Sequence, residues 1–244
     1  MRRFLFNKEN IQNGKVVLEG QQAHHLINVL RMESGEYVVL IDKKYGSFKA
    51  KILSIQNKKV FLEIKERLEK ERELVRIALF QSLLPKGRMD KIIGHLTEIG
   101  ISLFVPIRTE RCVPRLNQEQ SLVKRQRWEK IASESAKQCG CQNIPEIFPV
   151  IDFKDALIMA KDTELILMPT LTGIRVYIAD ALKQGSVLHS VSIFIGPEGD
   201  WTEGEIKMGL DMGAVLIDLG ENVLRPETAA VYITSILKFF YSRS

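Results

Sequence analysis

The sequence predicts an α/β protein in two parts: a small all-β segment, then a larger domain with a mainly parallel sheet. Three observations predict it. Residues 1 to about 70 carry short strand-like runs divided by turn signals. From residue 74 the rhythm becomes strand, helix, strand, which argues for a parallel sheet covered on both faces. Between them, Lys65-Glu66-Arg67-Leu68-Glu69-Lys70-Glu71-Arg72-Glu73 is almost wholly charged. Such a run belongs in solvent, so it marks a boundary and gives domains of 1–70 and 74–244.

In the first part, 47–53 alternates in part and 59–64 is a second strand. Asn13-Gly14, Ser34-Gly35 and Asn57-Lys58 are the turns, and 22–31 is one short helix. Several short strands in so few residues suggest a small β-barrel. In the second part, 76–84 is a strand. Met89, Ile92, Ile93, Leu96 and Ile99 then fall at helical spacing, and Gly100 suits the stop. Residues 101–107 form the next strand. Residues 117–138 form a long basic helix with Trp128, Ile131, Ala132 and Ser135 on one side. Buried strands follow at 164–168, 191–195 and 215–219. Thr202 and Glu205 form a capping box for a helix reaching Met212. Ile233, Ile236, Leu237 and Phe240 give the last helix its apolar face.

A chain of 244 residues holds one large domain or two modest ones. Hydrophobic residues make up 45% and charged residues 27%, which is ordinary for a soluble globular protein. No apolar run approaches the roughly 18 residues that span a bilayer. The apolar core after Arg2-Arg3 is too short for a signal peptide. A cytoplasmic protein with no membrane partner is expected. Net charge is +5, which permits an anionic partner without requiring one. Lys124, Arg125, Arg127, Lys130 and Lys137 crowd one helix, and Lys43, Lys44, Lys49, Lys51, Lys58 and Lys59 crowd the first part. Either run alone is more often a solvated face than a binding surface. Cys112, Cys139 and Cys141 are odd in number and read as reduced thiols. No second Cys or His pair has zinc spacing, and the four histidines are scattered, so no metal is expected.

The chemistry lies in Ile195-Gly196-Pro197-Glu198-Gly199-Asp200-Trp201 and in the run from Leu219 to Ala230. Each follows a buried strand and opens a helix. Pro-Glu-Gly alone is an ordinary tight turn. Leu224 to Ala230 alone is a helix start, with Pro226 at the first helical position and Glu227 at the positive end. Together, at the ends of neighbouring strands, two backbone-rich loops make a pocket for a nucleoside-type cofactor.

The pair resembles the cofactor loops of the SPOUT-class methyltransferases, which bind S-adenosylmethionine in a C-terminal α/β domain with a trefoil knot. Within that class the chain resembles the family that methylates uridine N3 in 16S ribosomal RNA. Lys86-Gly87-Arg88-Met89-Asp90, Thr97-Glu98-Ile99-Gly100, Glu110-Arg111-Cys112 and Trp128-Glu129-Lys130-Ile131-Ala132 extend the likeness. So do Gln138-Cys139-Gly140 and Ile144-Pro145-Glu146-Ile147. His24-His25-Leu26, Val29-Leu30-Arg31-Met32 and Gly35 resemble the family's N-terminal PUA-like barrel. The likeness covers nearly the whole chain in order.

The resemblance implies a homodimer acting on 16S ribosomal RNA in the 30S subunit. It implies one cofactor wall from Ile195, Gly196, Pro197, Glu198 and Gly199, and another from Leu219, Gly220, Val223 and Leu224. A third loop would come from Pro169, Thr170, Leu171 and Gly173. Arg225 is the candidate catalytic residue, since negative charge develops on uridine N3, O2 and O4; its other reading is a carboxylate partner within the fold. Arg3, Arg31, Arg111, Lys124, Arg125 and Arg127 are candidates for RNA contacts. Four positions depart from the family pattern: Asp200 for a glycine, Pro226 for a threonine, Cys141 for an arginine and His95 for a lysine. The rival readings are a SPOUT enzyme with another target atom and an RNA-binding assembly factor without activity. A nicotinamide enzyme is poorly supported, because no G-x-G-x-x-G follows the first strand.

Overall fold

The computed structural model describes residues 1–6, 11, 14–42, 45–68, 74–85, 87–141, 143–182 and 188–241. Two compact units form: Met1–Arg72 with Ala136–Asn143, and Glu73–Ser135 with Ile144–Ser244. That residues 136–143 group with the first unit is a tertiary fact the linear charge pattern does not carry.

The first unit holds β1 (Arg2–Leu5), β2 (Lys15–Leu18), α1 (Gly20–His24), β3 (Tyr37–Asp42), β4 (Gly46–Gln56) and β5 (Lys59–Arg67). They form one sheet in the order β1-β3-β4-β5-β2. The Asn57-Lys58 signal is a two-residue hairpin between paired Gln56 and Lys59. Both turn residues have positive φ, 51° and 60°, the twist that suits a hairpin. Register shifts at Lys49/Ala50 and Ile52/Ser54 bend β4. Val38, Leu40, Ala50, Ile52, Val60 and Leu62 bury one face with Leu26. The expected helix at 22–31 is split. α1 stops at His24, and a π-helical turn at His25–Val29 follows. Arg31, at φ 51°, ends it in the left-handed region. The charged run begins inside β5, so Lys65, Glu66 and Arg67 are strand residues. Lys43, Lys44 and residues 69–73 lie outside the described residues.

The second unit follows the strand and helix rhythm. Its elements are β6 (Arg76–Ser82), α2 (Arg88–Ile99), β7 (Leu103–Arg108), the start of α3 (Gln118–Cys139), β8 (Glu146–Ile147), β9 (Ile151–Asp152) and α4 (Phe153–Ala160). Then come β10 (Leu165–Pro169), β11 (Val176–Tyr177), α5 (Ile178–Leu182), β12 (Ser190–Ile195), α6 (Glu203–Asp211), β13 (Val215–Asp218) and α7 (Pro226–Tyr241). The sheet order is β11-β13-β10-β12-β6-β7-β8, with β9 also on β7. Every pairing is parallel.

Alternation along the strands sends side chains to two cores. Ile77 and Leu79 of β6 join α2, α3 and α7 residues on one face. Phe80 joins α4 and α6 residues on the other, stacked on Phe194 with centroids 4.3 Å apart. Burying each such side chain contributes about 1.5–3 kcal/mol, so both layers are held by the sheet. The two glycine-bearing loops do not follow adjacent strands, as the sequence had suggested. β12 and β13 do not pair; β10 lies between them.

Candidate cofactor site

Three parallel neighbours, β13, β10 and β12, end side by side, and their C-terminal loops converge. Ligands collect at this end of an open α/β sheet, because loops there can part around them. The loops enclose a cleft of about 440 Å³. Pro169, Thr170 and Leu171 line it after β10, Ile195, Gly196 and Asp200 after β12, and Leu219 to Leu224 after β13. Pro226 and Ala229 of α7 complete the wall.

The loops are tied to one another. Trp201 Nε1 donates to the Pro169 carbonyl at 2.9 Å. One Asp200 carboxylate oxygen accepts from Thr170 Oγ1 and from Leu171 N–H, both at 2.9 Å. Asp200 closes the Pro197 turn through its own N–H at 3.1 Å and has φ 57°. Aspartate is among the few residues that tolerate this left-handed backbone. On the β13 side, Gly220 N–H donates to Asp218 Oδ1 at 2.9 Å, and Gly220 has φ 119°, a conformation that requires glycine. Arg175 pairs with Asp218 at 3.4 Å and donates to the Thr170 carbonyl at 3.1 Å.

Outside the cleft, Arg88 at the start of α2 forms an ion pair with Glu198 and stands 3.9 Å from Glu227 of α7. The hydrogen bond to Glu198 is the main cause that raises the Arg88 pKa. Glu198 therefore faces a cation of its own chain.

Among the thirteen sequence candidates for this site, Gly173, Pro197, Glu198 and Gly199 are not in the cleft wall. In that turn Gly196 lines the cleft, Pro197 is buried away from it, and Glu198 and Gly199 are exposed. Sequence reasoning missed Arg175, Asp200, Ile217, Asp218, Glu221, Asn222, Pro226 and Ala229 as lining residues. In the sequence, Asp200 stands out as a departure from the family pattern, and Pro226 as a departure and a helix start. Asp218 and Ile217 were legible as the end of a buried strand.

Arg225 is exposed, between Leu224 and Pro226 of the cleft wall. Among the described residues it forms no ion pair and its side chain makes no hydrogen bond.

The basic candidates divide. Arg111 is exposed and donates through one guanidinium nitrogen to the carbonyls of Gly199 at 2.7 Å and Trp201 at 3.0 Å, so it holds the turn after β12. Arg127 pairs with Asp90 at 2.6 Å, where Trp128 Nε1 also donates at 3.1 Å. Arg125 pairs with Glu129 one helical turn on. Lys124 is exposed. In the first unit, Arg3 and Arg31 are both exposed. The Arg3 guanidinium lies against Gly140, where a Cβ would come within 1.6 Å of it. Cys112 and Cys139 are free thiols. Among the described residues no group of three or more His, Cys, Asp or Glu is arranged to hold a metal, and no helix is long and apolar enough to cross a membrane.

The cleft fits S-adenosylmethionine. Its volume is in the usual range for such ligands. Ile217, Leu219, Val223, Leu224 and Ala229 offer apolar surface for an adenine. Asp200, Asp218 and Glu221 outnumber Arg175, so the lining carries excess negative charge toward a cationic sulfonium.

Residues 70–238 match the RNA methyltransferase domain family, and residues 18–65 match the RNA methyltransferase PUA domain. The chain is 30% identical over 230 residues to ribosomal RNA small subunit methyltransferase E of Bacillus subtilis, covering 91% of this chain and 89% of that one. A Neisseria gonorrhoeae ribosomal RNA small subunit methyltransferase E, solved bound to S-adenosyl methionine, superposes with a TM-score of 0.81 at 26% identity, covering 98% of both chains. A Legionella pneumophila methyltransferase solved with the same cofactor gives 0.83 at 28%, covering 98% of this chain and 97% of that one. With the likeness spanning both the PUA segment and the cleft-bearing sheet, the chain belongs to the RNA methyltransferase family that includes ribosomal RNA small subunit methyltransferase E.

Proposed function

We infer that this enzyme transfers a methyl group from S-adenosylmethionine to N3 of one uridine in 16S ribosomal RNA of the small subunit. The observation that carries the reading is the cleft at the ends of β13, β10 and β12, in a chain that superposes along its whole length on a cofactor-bound relative. When bound, the cofactor supplies an activated methyl, and its sulfur departs as a neutral thioether. The residues of this chain do the rest. The turn at Gly196 and the 219–224 loop hold the cofactor, and Arg225 reaches the reacting base at the rim. N3 must lose its proton, and a guanidinium beside N3, O2 or O4 stabilises the charge that results. Holding base and methyl in line supplies much of the rate. Glu198, held by Arg88, is poorly suited to take that proton.

The first unit, with exposed Arg3 and Arg31, is the proposed RNA-capturing domain, and residues 74–244 are the catalytic domain. Lys124 on α3 adds a phosphate contact. We read the second unit as carrying the trefoil knot that the resemblance to SPOUT enzymes implies. We read the working form as a cytoplasmic homodimer. Support comes from apolar side chains left in solvent: Ile174 is 96% exposed, and Tyr232, Phe239 and Phe240 of α7 are exposed too. The test is incubation of unmodified 30S subunits with the protein and labelled cofactor, followed by mass analysis of the nucleosides. N3-methyluridine is the expected product. A ribose 2′-O-methyl or another methylated base would replace this reading with a different target atom. Cofactor binding without any methyl transfer would leave an assembly factor.

A further inference from the structure

We propose that Asp200 is the clasp that holds the cofactor cleft in its binding shape, a positioning residue that acts through its carboxylate. The inference rests on reading this cleft as the cofactor site. Asp200 closes the Pro197 turn through its backbone N–H. The same residue reaches across to the next loop, where one carboxylate oxygen takes hydrogen bonds from Thr170 Oγ1 and Leu171 N–H. Thr170 is 6% exposed, and its Oγ1 also accepts from Thr172 N–H at 3.2 Å and lies 3.3 Å from Thr172 Oγ1, so the Asp200 bond anchors a small buried cluster of its loop.

Both tethered segments line the cleft, and each follows a different strand. Trp201, the next residue, makes the parallel tie to Pro169. Between them, Asp200 and Trp201 bond the backbone or side chains of three consecutive residues, Pro169, Thr170 and Leu171. A loop so held need not be ordered by the ligand, and binding is stronger by the ordering entropy avoided. The backbone at Asp200, with φ 57°, accepts glycine and asparagine without strain. Side-chain effects can therefore be separated from backbone effects.

The test compares wild type, Asp200→Asn and Asp200→Gly by calorimetric titration with S-adenosylmethionine and with S-adenosylhomocysteine, alongside steady-state kinetics. Asparagine keeps an acceptor for both donors and removes the charge; glycine removes the clasp. The expected result is that Asp200→Gly weakens both ligands about tenfold or more, because both hydrogen bonds to the 170–171 loop are lost. KM for the cofactor should rise by the same factor, with kcat changed little. Asp200→Asn should stay within about threefold of wild type for both ligands. Thr170→Val should weaken binding in the wild-type background and cost less in Asp200→Gly, where only its bonds to Thr172 remain to be lost. Unchanged affinity in Asp200→Gly overturns the clasp. So does an Asp200→Asn variant that loses S-adenosylmethionine but keeps S-adenosylhomocysteine, since that pattern means charge recognition. Wild type that binds neither ligand would instead sink the reading of the cleft.

Discussion

Gly196 lies under the indole of Trp201. A Cβ there would stand 3.0 Å from the ring, closer than ordinary contact. The resemblance implies Gly196 as part of a cofactor wall; the nearest constraint on its side chain is this indole. Gly196→Val must push Trp201 away from the Pro169 carbonyl it bonds. The variant should lose about 1–3 kcal/mol of stability and bind cofactor weakly, by thermal melt and calorimetry. Arg225→Ala should behave oppositely. The side chain is exposed and without an ion pair among the described residues, so stability should stay within about 0.5 kcal/mol. Turnover should fall about a hundredfold or more, measured as methyl transfer to 30S subunits. Glycines and an arginine next to a proline are visible in one sequence. The partners of Arg111, Arg88 and Asp200 are not, because each lies on another loop, up to 110 positions away in the case of Arg88 and Glu198.

Single elements were readable where local chemistry dominates. The Thr202/Glu205 capping box forms as the spacing predicts. It also does more than cap. Glu205, 1% exposed, accepts from the Glu110 backbone N–H at 2.9 Å as well as from Thr202. Glu205→Ala should therefore cost about 1–3 kcal/mol in chemical denaturation, more than an exposed cap, because buried donors lose their acceptor. α2 ends where Gly100 predicts, with φ 91°. α4 carries a stripe at Phe153, Ala156, Leu157 and Ala160, but it is only eight residues long and Ile158 and Met159 are apolar off that face, so the stripe is short and blurred. β8, β9 and β11 are two residues each, too short for any alternation. At the edge of β10, Glu164 accepts the backbone N–H groups of His189 and Ser190, which lowers its pKa below the usual 4.5. A depressed carboxylate stabilises the fold above its unfolded pKa, and that stability is lost as pH falls through the folded value. Wild type should lose stability on acidification below about pH 4.5, and Glu164→Gln should flatten that limb of the curve.

At the scale of the molecule, charge and topology act separately. The net charge of +5 favours an RNA partner without specifying one. If Arg3, Arg31 and Lys124 contact phosphate, RNA affinity should fall steeply with salt, and each alanine substitution should reduce the log–log slope by about 1. A slope unaffected by all three would remove them from the RNA surface. The strand and helix rhythm announced the parallel sheet, but periodicity carries no information on strand order. Only the order β13-β10-β12 brings the third loop between the other two and makes a cleft of them. The grouping of residues 136–143 with the first unit is equally silent in the sequence. The most direct measurement is a crystal structure of this protein grown with S-adenosylmethionine. The expected placement is between Gly196, Thr170 and Leu224, with the methyl facing the Arg225 rim. Cofactor density elsewhere, or an empty cleft in crystals of a protein that binds it in solution, would contradict it.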